Sequence, residues 1–245
     1  MFKSDVVNGL GARHGFTSYF EICTPTTGFR YGKINRRQFT TCHRLMYRWC
    51  AEACDGLRID YPVEGEAIEP VLAELRRRGQ AYDVILVDPW HGYEASLRDM
   101  RLALTLLKDE GVLVVHDCAP PSLDFVAPDY VVGDWCGMTY AAFIDFLGSQ
   151  PDLEAYTVDA DFGCAVVRRG GGSRAAGARL RPDPAALAGW RVAGSDYADR
   201  FRYFDRHRAE LLNLITTGEF RNREGLPAAE TARRSLWDWA AGLCS

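Results

Sequence analysis

Two short runs constrain this chain more than any other feature. Tyr82-Asp-Val-Ile-Leu-Val-Asp88 and Gly111-Val-Leu-Val-Val-His-Asp117 are apolar almost throughout and rich in valine. A strand with one wet face alternates apolar and polar residues, whereas a strand covered on both faces does not. A helical pattern over residues 93–108 separates the two runs, with Tyr93, Leu97, Met100, Leu104 and Leu107 on one face. Strand, helix, strand in that order predicts a parallel sheet with helices on both sides. The remaining apolar spacing predicts strands at residues 18–22, 40–49 and 57–60, and a helix over 64–78 stopped by Gly79. A Gly111 stop ends the helix at 93–108, another helix spans 138–147, and two closing strands at 153–158 and 163–168 flank Asp159-Ala-Asp161.

These elements give a mixed α/β chain. Residues 1–169 form a Rossmann-like, doubly wound sheet with a C-terminal antiparallel hairpin strand. A glycine-rich linker occupies 170–178, and a helical C-terminal appendage occupies 179–245, with one strong helix at 197–216. Phe201, Phe204, Leu211, Leu214 and Ile215 make a packing stripe on that helix. The appendage packs on the core or on a second subunit, which leaves a homo-oligomer open. Arg200, Arg202, Arg206 and Arg208 alternate with acids and read as a solvated face.

Composition narrows the function classes. Of 245 residues, 47% are hydrophobic and 25% charged, which excludes a disordered, collagen-like or coiled-coil chain. A net charge of −4 supplies no basic field for nucleic acid or an anionic membrane. The apolar runs are too short to cross a bilayer. Eight cysteines contain no C-x-x-C pair, and Cys50 and Cys54 share only a helix face. With no apolar leader in the first ten residues, a reducing cytoplasm is expected.

In open α/β sheets ligands bind beyond the carboxyl ends of the strands. Both buried runs end in polar residues, as Val87-Asp88-Pro89-Trp90-His91 and Val115-His116-Asp117-Cys118. On neighbouring strands, Asp88, His116 and Asp117 converge at one rim. Two carboxylates and an imidazole hold a divalent ion, and the oxygen-rich set favours Mg²⁺ or Mn²⁺. His91 follows Asp88 closely enough to serve as a base. Each residue also has a structural use: Asp88 as a helix N-cap, His116 as a core histidine.

Longer motifs carry a resemblance. Residues 82–99, from Tyr82-Asp through Asp88-Pro-Trp-His-Gly-Tyr93 to Asp99, resemble a segment of class I S-adenosylmethionine-dependent methyltransferases. Within that class it resembles the branch of the macrocin and mycinamicin O-methyltransferases and cephalosporin-hydroxylase-like proteins. Gly111 to Cys118, Gly133-Asp-Trp-Cys-Gly137 and Asp159-Ala-Asp-Phe-Gly-Cys164 resemble later motifs of that branch, in order. The resemblance implies that Asp88 and Asp117 ligate a metal. His116 stands where some relatives carry a carboxylate, and His91 would be the general base. It implies S-adenosylmethionine as donor and a small hydroxylated acceptor, a sugar or natural-product intermediate.

For the donor site the resemblance points to Glu21, Cys23, Thr24, Gly28, Asp60 and Asp88. Phe20-Glu-Ile-Cys-Thr-Pro-Thr-Thr-Gly28 keeps the family's acid and last glycine. Cys23 replaces its first glycine, and Pro25 stiffens the loop; neither lets the backbone approach a ligand as glycine does. Thr24, Thr26 and Thr27 offer hydroxyls to the donor's carboxylate. Cys42-His-Arg-Leu-Met-Tyr-Arg48 lacks the usual ribose-binding acid, so Asp60 stands in as an adenine contact. These departures keep two alternatives open: a catalytically inactive methyltransferase-fold binding module, and a metal-dependent hydrolase in which His91 activates water. Trp135 and Tyr140 either stack on the acceptor or pack in the core.

Overall fold

The computed structural model describes residues 1–47, 59–64, 67–170, 180–194 and 196–227. Cys50, Cys54, Cys244 and most of the predicted linker lie outside them. The strands are β1 (Ser18–Cys23), β2 (Thr41–Tyr47), β3 (Tyr61–Val63), β4 (Tyr82–Asp88), β5 (Leu107–Val115), β6 (Leu153–Val158), β7 (Cys164–Arg169) and β8 (Leu214–Ile215). They form one sheet in the order β3-β2-β1-β4-β5-β7-β6-β8. β3, β2, β1, β4 and β5 run parallel, and β7 is antiparallel to both β5 and β6. This is the expected doubly wound sheet closed by an antiparallel hairpin.

The helices are α1 (Lys3–His14), α2 (Ile68–Arg77), α3 (Tyr93–Leu104), α4 (Thr139–Ser149), α5 (Pro184–Arg191), α6 (Tyr197–Leu212) and α7 (Thr217–Arg223). The continuous apolar strands bury both faces. Val84, Leu86, Val112 and Val114 pack with Val6, Val7 and Leu10 of α1 and Phe220 of α7. Ile85, Val87, Leu113 and Val115 pack with Leu72, Met100, Phe143, Trp190 and Phe204 of α2 to α6. Each such side chain is worth ~1.5–3 kcal/mol on burial, so the central strands anchor the sheet.

Several predicted elements change. The helix predicted over 93–108 ends at Leu104; Leu107 already pairs with Tyr82, and Gly111 lies inside β5 next to a register shift. A Cβ on Gly111 would meet the Asp83 carbonyl at 2.9 Å, so the glycine serves this strand irregularity and is no helix stop. Of the strand predicted over 57–60, residues 57–58 lie outside the described residues, and Ile59 and Asp60 precede β3, which begins at Tyr61. The helix predicted over 197–216 stops at Leu212, because Asn213 takes a left-handed conformation (φ 46°). Leu214 and Ile215 then pair with β6, and Thr216 and Glu219 cap α7 reciprocally. Residues 180–227 therefore contain a strand as well as helices, and they share the core of the sheet. Phe201, Phe204 and Leu211 are buried as the stripe predicted.

The apolar spacing of residues 3–14 is too weak to predict α1. Gly9 and Gly11 interrupt its apolar pattern, yet Gly11 is required by packing: a Cβ there would lie 2.4 Å from the Phe39 ring. Its last residue, His14, is held by Glu224, whose carboxylate also accepts from Tyr156 (2.7 Å) and Arg168 (3.1 Å). This cluster ties α1, β6, β7 and α7 together.

Burial alone would raise the Glu224 pKa, but hydrogen bonding to His14, the charge of Arg168 and the Tyr156 hydroxyl bring it down to about 2. An acid lowered in the folded state stabilises above its unfolded pKa, ~4.3, and that stability fades as pH falls towards the folded value. Glu224→Gln should cost about 3–5 kcal/mol at pH 7. It should also flatten the loss of stability between pH 4.5 and about 2. Denaturant unfolding followed by tryptophan fluorescence at several pH values checks both; an unchanged midpoint at pH 7 contradicts the network.

Candidate active site

Strand register assembles the site. Cys23 of β1 lies opposite Asp88 of β4, and Val87 lies opposite Val115 of β5. Asp88 therefore stands beside His116 and Asp117, at the carboxyl rim where the order turns from β1 to β4. Asp117 holds φ 60°, a left-handed conformation uncommon outside glycine. That turn keeps its carboxylate at the rim.

The structure brings Asp88, His91, His116 and Asp117 together. His91 Nε2 is 3.3 Å from Asp88 Oδ1 and 3.0 Å from Asp117 Oδ2. His116 Nδ1 is 3.4 Å and 3.2 Å from the same two oxygens. All four side chains are buried. His91 Nδ1 donates to the Trp135 carbonyl at 2.5 Å, which leaves Nε2 facing the carboxylates.

Sequence reasoning missed two members of the cluster. The Lys3 ammonium, carried in by α1, pairs with Asp88 Oδ2 and donates to the Thr27 carbonyl at 2.8 Å. Asp161, from the β6–β7 turn, stands 3.2 Å from His116 Nε2 and accepts from the Lys3 amide at 2.8 Å. The Asp159-Ala-Asp161 motif was a usable signal for Asp161. A lysine in a weakly patterned N-terminal segment gave none.

Buried charge sets the ionisation here. Burial works against a charged Asp88, but Lys3 first and then His116 hold its carboxyl well below the usual range. Burial likewise opposes charge on both rings, yet Asp117 and Asp88 raise His91 and push His116 well above the ordinary value. The carboxyl groups of Asp88, Asp117 and Asp161 thus face the Lys3 ammonium and two imidazole rings. Asp88, His116 and Asp117 offer three ligand atoms within 4.8 Å of one another. Neither nitrogen of the buried His116 ring makes a hydrogen bond of good geometry among the described residues. The donor set fits a divalent cation.

The predicted donor residues fare unevenly. Thr24, Thr26 and Thr27 line the cleft; the Thr24 amide donates to Thr27 Oγ1 (2.9 Å), and that hydroxyl donates to the Asp88 carbonyl (2.6 Å). The threonine hydroxyls lie beside the Lys3 ammonium, a pairing that suits a carboxylate. Gly28 opens a short 3-10 turn, residues 28–33, just beyond. Glu21 and Cys23 are fully buried beneath the rim and do not line it. Glu21 accepts from the Tyr19 hydroxyl, and burial lifts its pKa to about 7. Asp60 is displaced from the rim: its carboxylate accepts from the Arg44 amide at 2.9 Å, three residues before β2 ends. It faces a separate cavity of ≈ 500 Å³ with Tyr31, Arg36 and Thr41.

The rim cleft itself measures ≈ 210 Å³, below the ~300–1,000 Å³ of most small-molecule sites. Residues 48–58, which follow β2, lie outside the described residues. Trp90, Tyr130 and Trp135 wall the cleft, with ring centroids 4.8 to 5.4 Å apart. Tyr140 takes no part in it. It is fully buried against Trp190, Phe201 and Phe204, the core-packing alternative of the two that the sequence leaves open.

A family model described as a methyltransferase domain matches residues 32–118. No curated protein matches the sequence. Among solved structures, the chain is similar to a protein described as a caffeoyl-CoA O-methyltransferase from Staphylococcus aureus (TM-score 0.48, 16% identity, 68% of this chain and 82% of that one). It is also similar to an O-methyltransferase from Bacillus cereus in complex with SAH (0.49, 12%, 68% and 80%). A third is the O-methyltransferase TomG from Streptomyces achromogenes, involved in tomaymycin synthesis, in complex with SAM (0.46, 19%, 68% and 79%). No helix among the described residues is long and apolar enough to cross a membrane.

The hold on His91 is testable at Gly137. This glycine has φ +54°, and a Cβ on it would come within 2.3 Å of the His91 carbonyl oxygen. Gly137→Ala should cost about 1–3 kcal/mol of stability and move the imidazole. Thermal unfolding and the ring-proton NMR shifts of His91 report the two effects; unchanged shifts contradict the close packing.

Proposed function

We propose that this protein transfers the methyl group of S-adenosylmethionine to a hydroxyl of a small hydroxylated acceptor, a sugar or natural-product intermediate. Asp88, Asp117 and His116 would hold a divalent cation, which supplies a lowered pKa at the acceptor hydroxyl when bound. The convergence of these three with His91, beside the threonine turn at the sheet's switch point, carries the reading. The match of residues 32–118 to a methyltransferase-domain model supports it.

The chain's own groups divide the work. The turn at Thr24 to Thr27 and Asp88 bind the amino-acid end of the donor. His91 takes the hydroxyl proton at Nε2, because its Nδ1–H is committed to Trp135. The acceptor oxygen then forms the new C–O bond as the S–CH₃ bond breaks, and the electron pair stays on sulfur. Trp90, Tyr130 and Trp135 align the acceptor and exclude water, which is most of what such a transfer needs.

A second reading, a methyltransferase-fold binding module without turnover, draws on Cys23, Pro25 and the small cleft. Calorimetry with S-adenosylmethionine separates the two. Micromolar binding is expected, weakened at least tenfold in Asp88→Asn. His91→Gln should keep donor binding and lose about 10²- to 10⁴-fold in methyl transfer. Absence of donor binding, with and without a divalent ion, removes the enzyme reading.

A further inference from the structure

We propose that Asp161 and His116, with Asp88 and Asp117, form a carboxylate–imidazole–metal relay that selects a nitrogen-accepting transition ion, such as Mn²⁺, Fe²⁺ or Zn²⁺, over Mg²⁺. The inference rests on the reading that this rim holds a divalent cation, and it names the class of ion and a positioning residue.

The position of the His116 ring carries the argument. Its Nε2 faces Asp161 Oδ2 at 3.2 Å, and its Nδ1 faces Asp88 Oδ1 and Asp117 Oδ2 at 3.4 and 3.2 Å. The ring is nine-tenths buried. A neutral imidazole has one N–H and one lone pair. Neither nitrogen makes a hydrogen bond of good geometry among the described residues, yet Nε2 lies beside one carboxylate and Nδ1 beside two, a placement that a cation held between Nδ1 and those two oxygens would satisfy, leaving Nε2–H for Asp161. Metal-bound histidines show this pattern, donating the far N–H to a carboxylate that fixes the tautomer. Ligand bonds of ~2.0–2.2 Å place neighbouring donors on one ion roughly 3–3.5 Å apart. The observed Nδ1 separations fall in that range. Lys3 does not compete for the position, since it engages Asp88 Oδ2 and leaves Oδ1 to the rings.

The backbone is bent to keep Asp161 in place. Four described non-glycine residues have positive φ, and three of them, Asp117, Asp161 and Phe162, belong to this cluster. The Ala119 and Cys118 amides donate to the Phe162 and Gly163 carbonyls (2.7 and 3.1 Å), which clamps the hairpin turn onto the strand end bearing His116. Imidazole is a favourable donor for first-row transition ions, whereas Mg²⁺ prefers oxygen and keeps its waters. A second grouping of His116, Asp161 and Cys164 would use the other ring nitrogen and a sulfur. The test includes it.

Chelator-stripped full-length protein, without donor, is titrated calorimetrically with Mn²⁺, Zn²⁺ and Mg²⁺. Mn²⁺ and Zn²⁺ should each bind at least 100-fold more tightly than Mg²⁺. Asp161→Asn should weaken Mn²⁺ by about 10- to 100-fold at an unchanged unfolding midpoint. His116→Asp should narrow the Mn²⁺/Mg²⁺ ratio, and Cys164→Ser should leave it alone. Electron spin-echo spectra of the Mn²⁺ form should show ¹⁴N coupling that His116→Asp diminishes. Equal affinity for Mg²⁺, an unaffected Asp161→Asn, or lost affinity in Cys164→Ser each overturns the proposal. So does a failure to bind any ion; donor binding measured separately would then show whether the methyl-transfer reading survives.

Discussion

A carboxylate at the inner end of an apolar strand must be paired, since an unpaired buried charge is prohibitively costly. Asp88 meets that requirement twice. Lys3 takes one oxygen, and the His91 and His116 rings face the other. Much of the molecule serves this pairing. β1 and β5 flank β4 in the register that brings the residues level, and α1 lies across the sheet so that its first residue reaches the rim. The Glu224 cluster anchors the other end of α1. A helix with two glycines and few apolar residues has little intrinsic tendency to form, so its placement depends on these contacts.

The central strands were legible because burial on both faces leaves a continuous apolar run that nothing else in a soluble chain explains. The convergence of Asp88, His91, His116 and Asp117 followed once those strands were read as neighbours. What could not be read had physical reasons. Lys3 contacts Asp88 across 85 positions, and no local pattern encodes that pairing. The place of Tyr140 after β5 allows either the cleft or the core, and helix periodicity turns it inward. The break after Leu212 was marked by Asn213 and by the Thr216/Glu219 capping pair, signals masked by the surrounding helical pattern.

The donor side was harder to read. Glu21 and Cys23 occupy the expected sequence positions, yet strand pairing buries both beneath the rim. The threonine turn presents hydroxyls where glycines would present bare backbone. Asp60, chosen for want of an acid at the end of β2, is kept off the rim by its two backbone-linked contacts with Arg44. Trp90, Tyr130 and Trp135 stand on one side of the cleft and the ionisable cluster on the other.

Anomalous diffraction from crystals grown with Mn²⁺ and S-adenosylhomocysteine would locate an ion at this rim. The account predicts a single strong peak within ~2.2 Å of Asp88 Oδ1, Asp117 Oδ2 and His116 Nδ1, with the sulfur of the nucleoside above the threonine turn. A cluster without a peak, its carboxylates still bound only by Lys3 and the two rings, would contradict it.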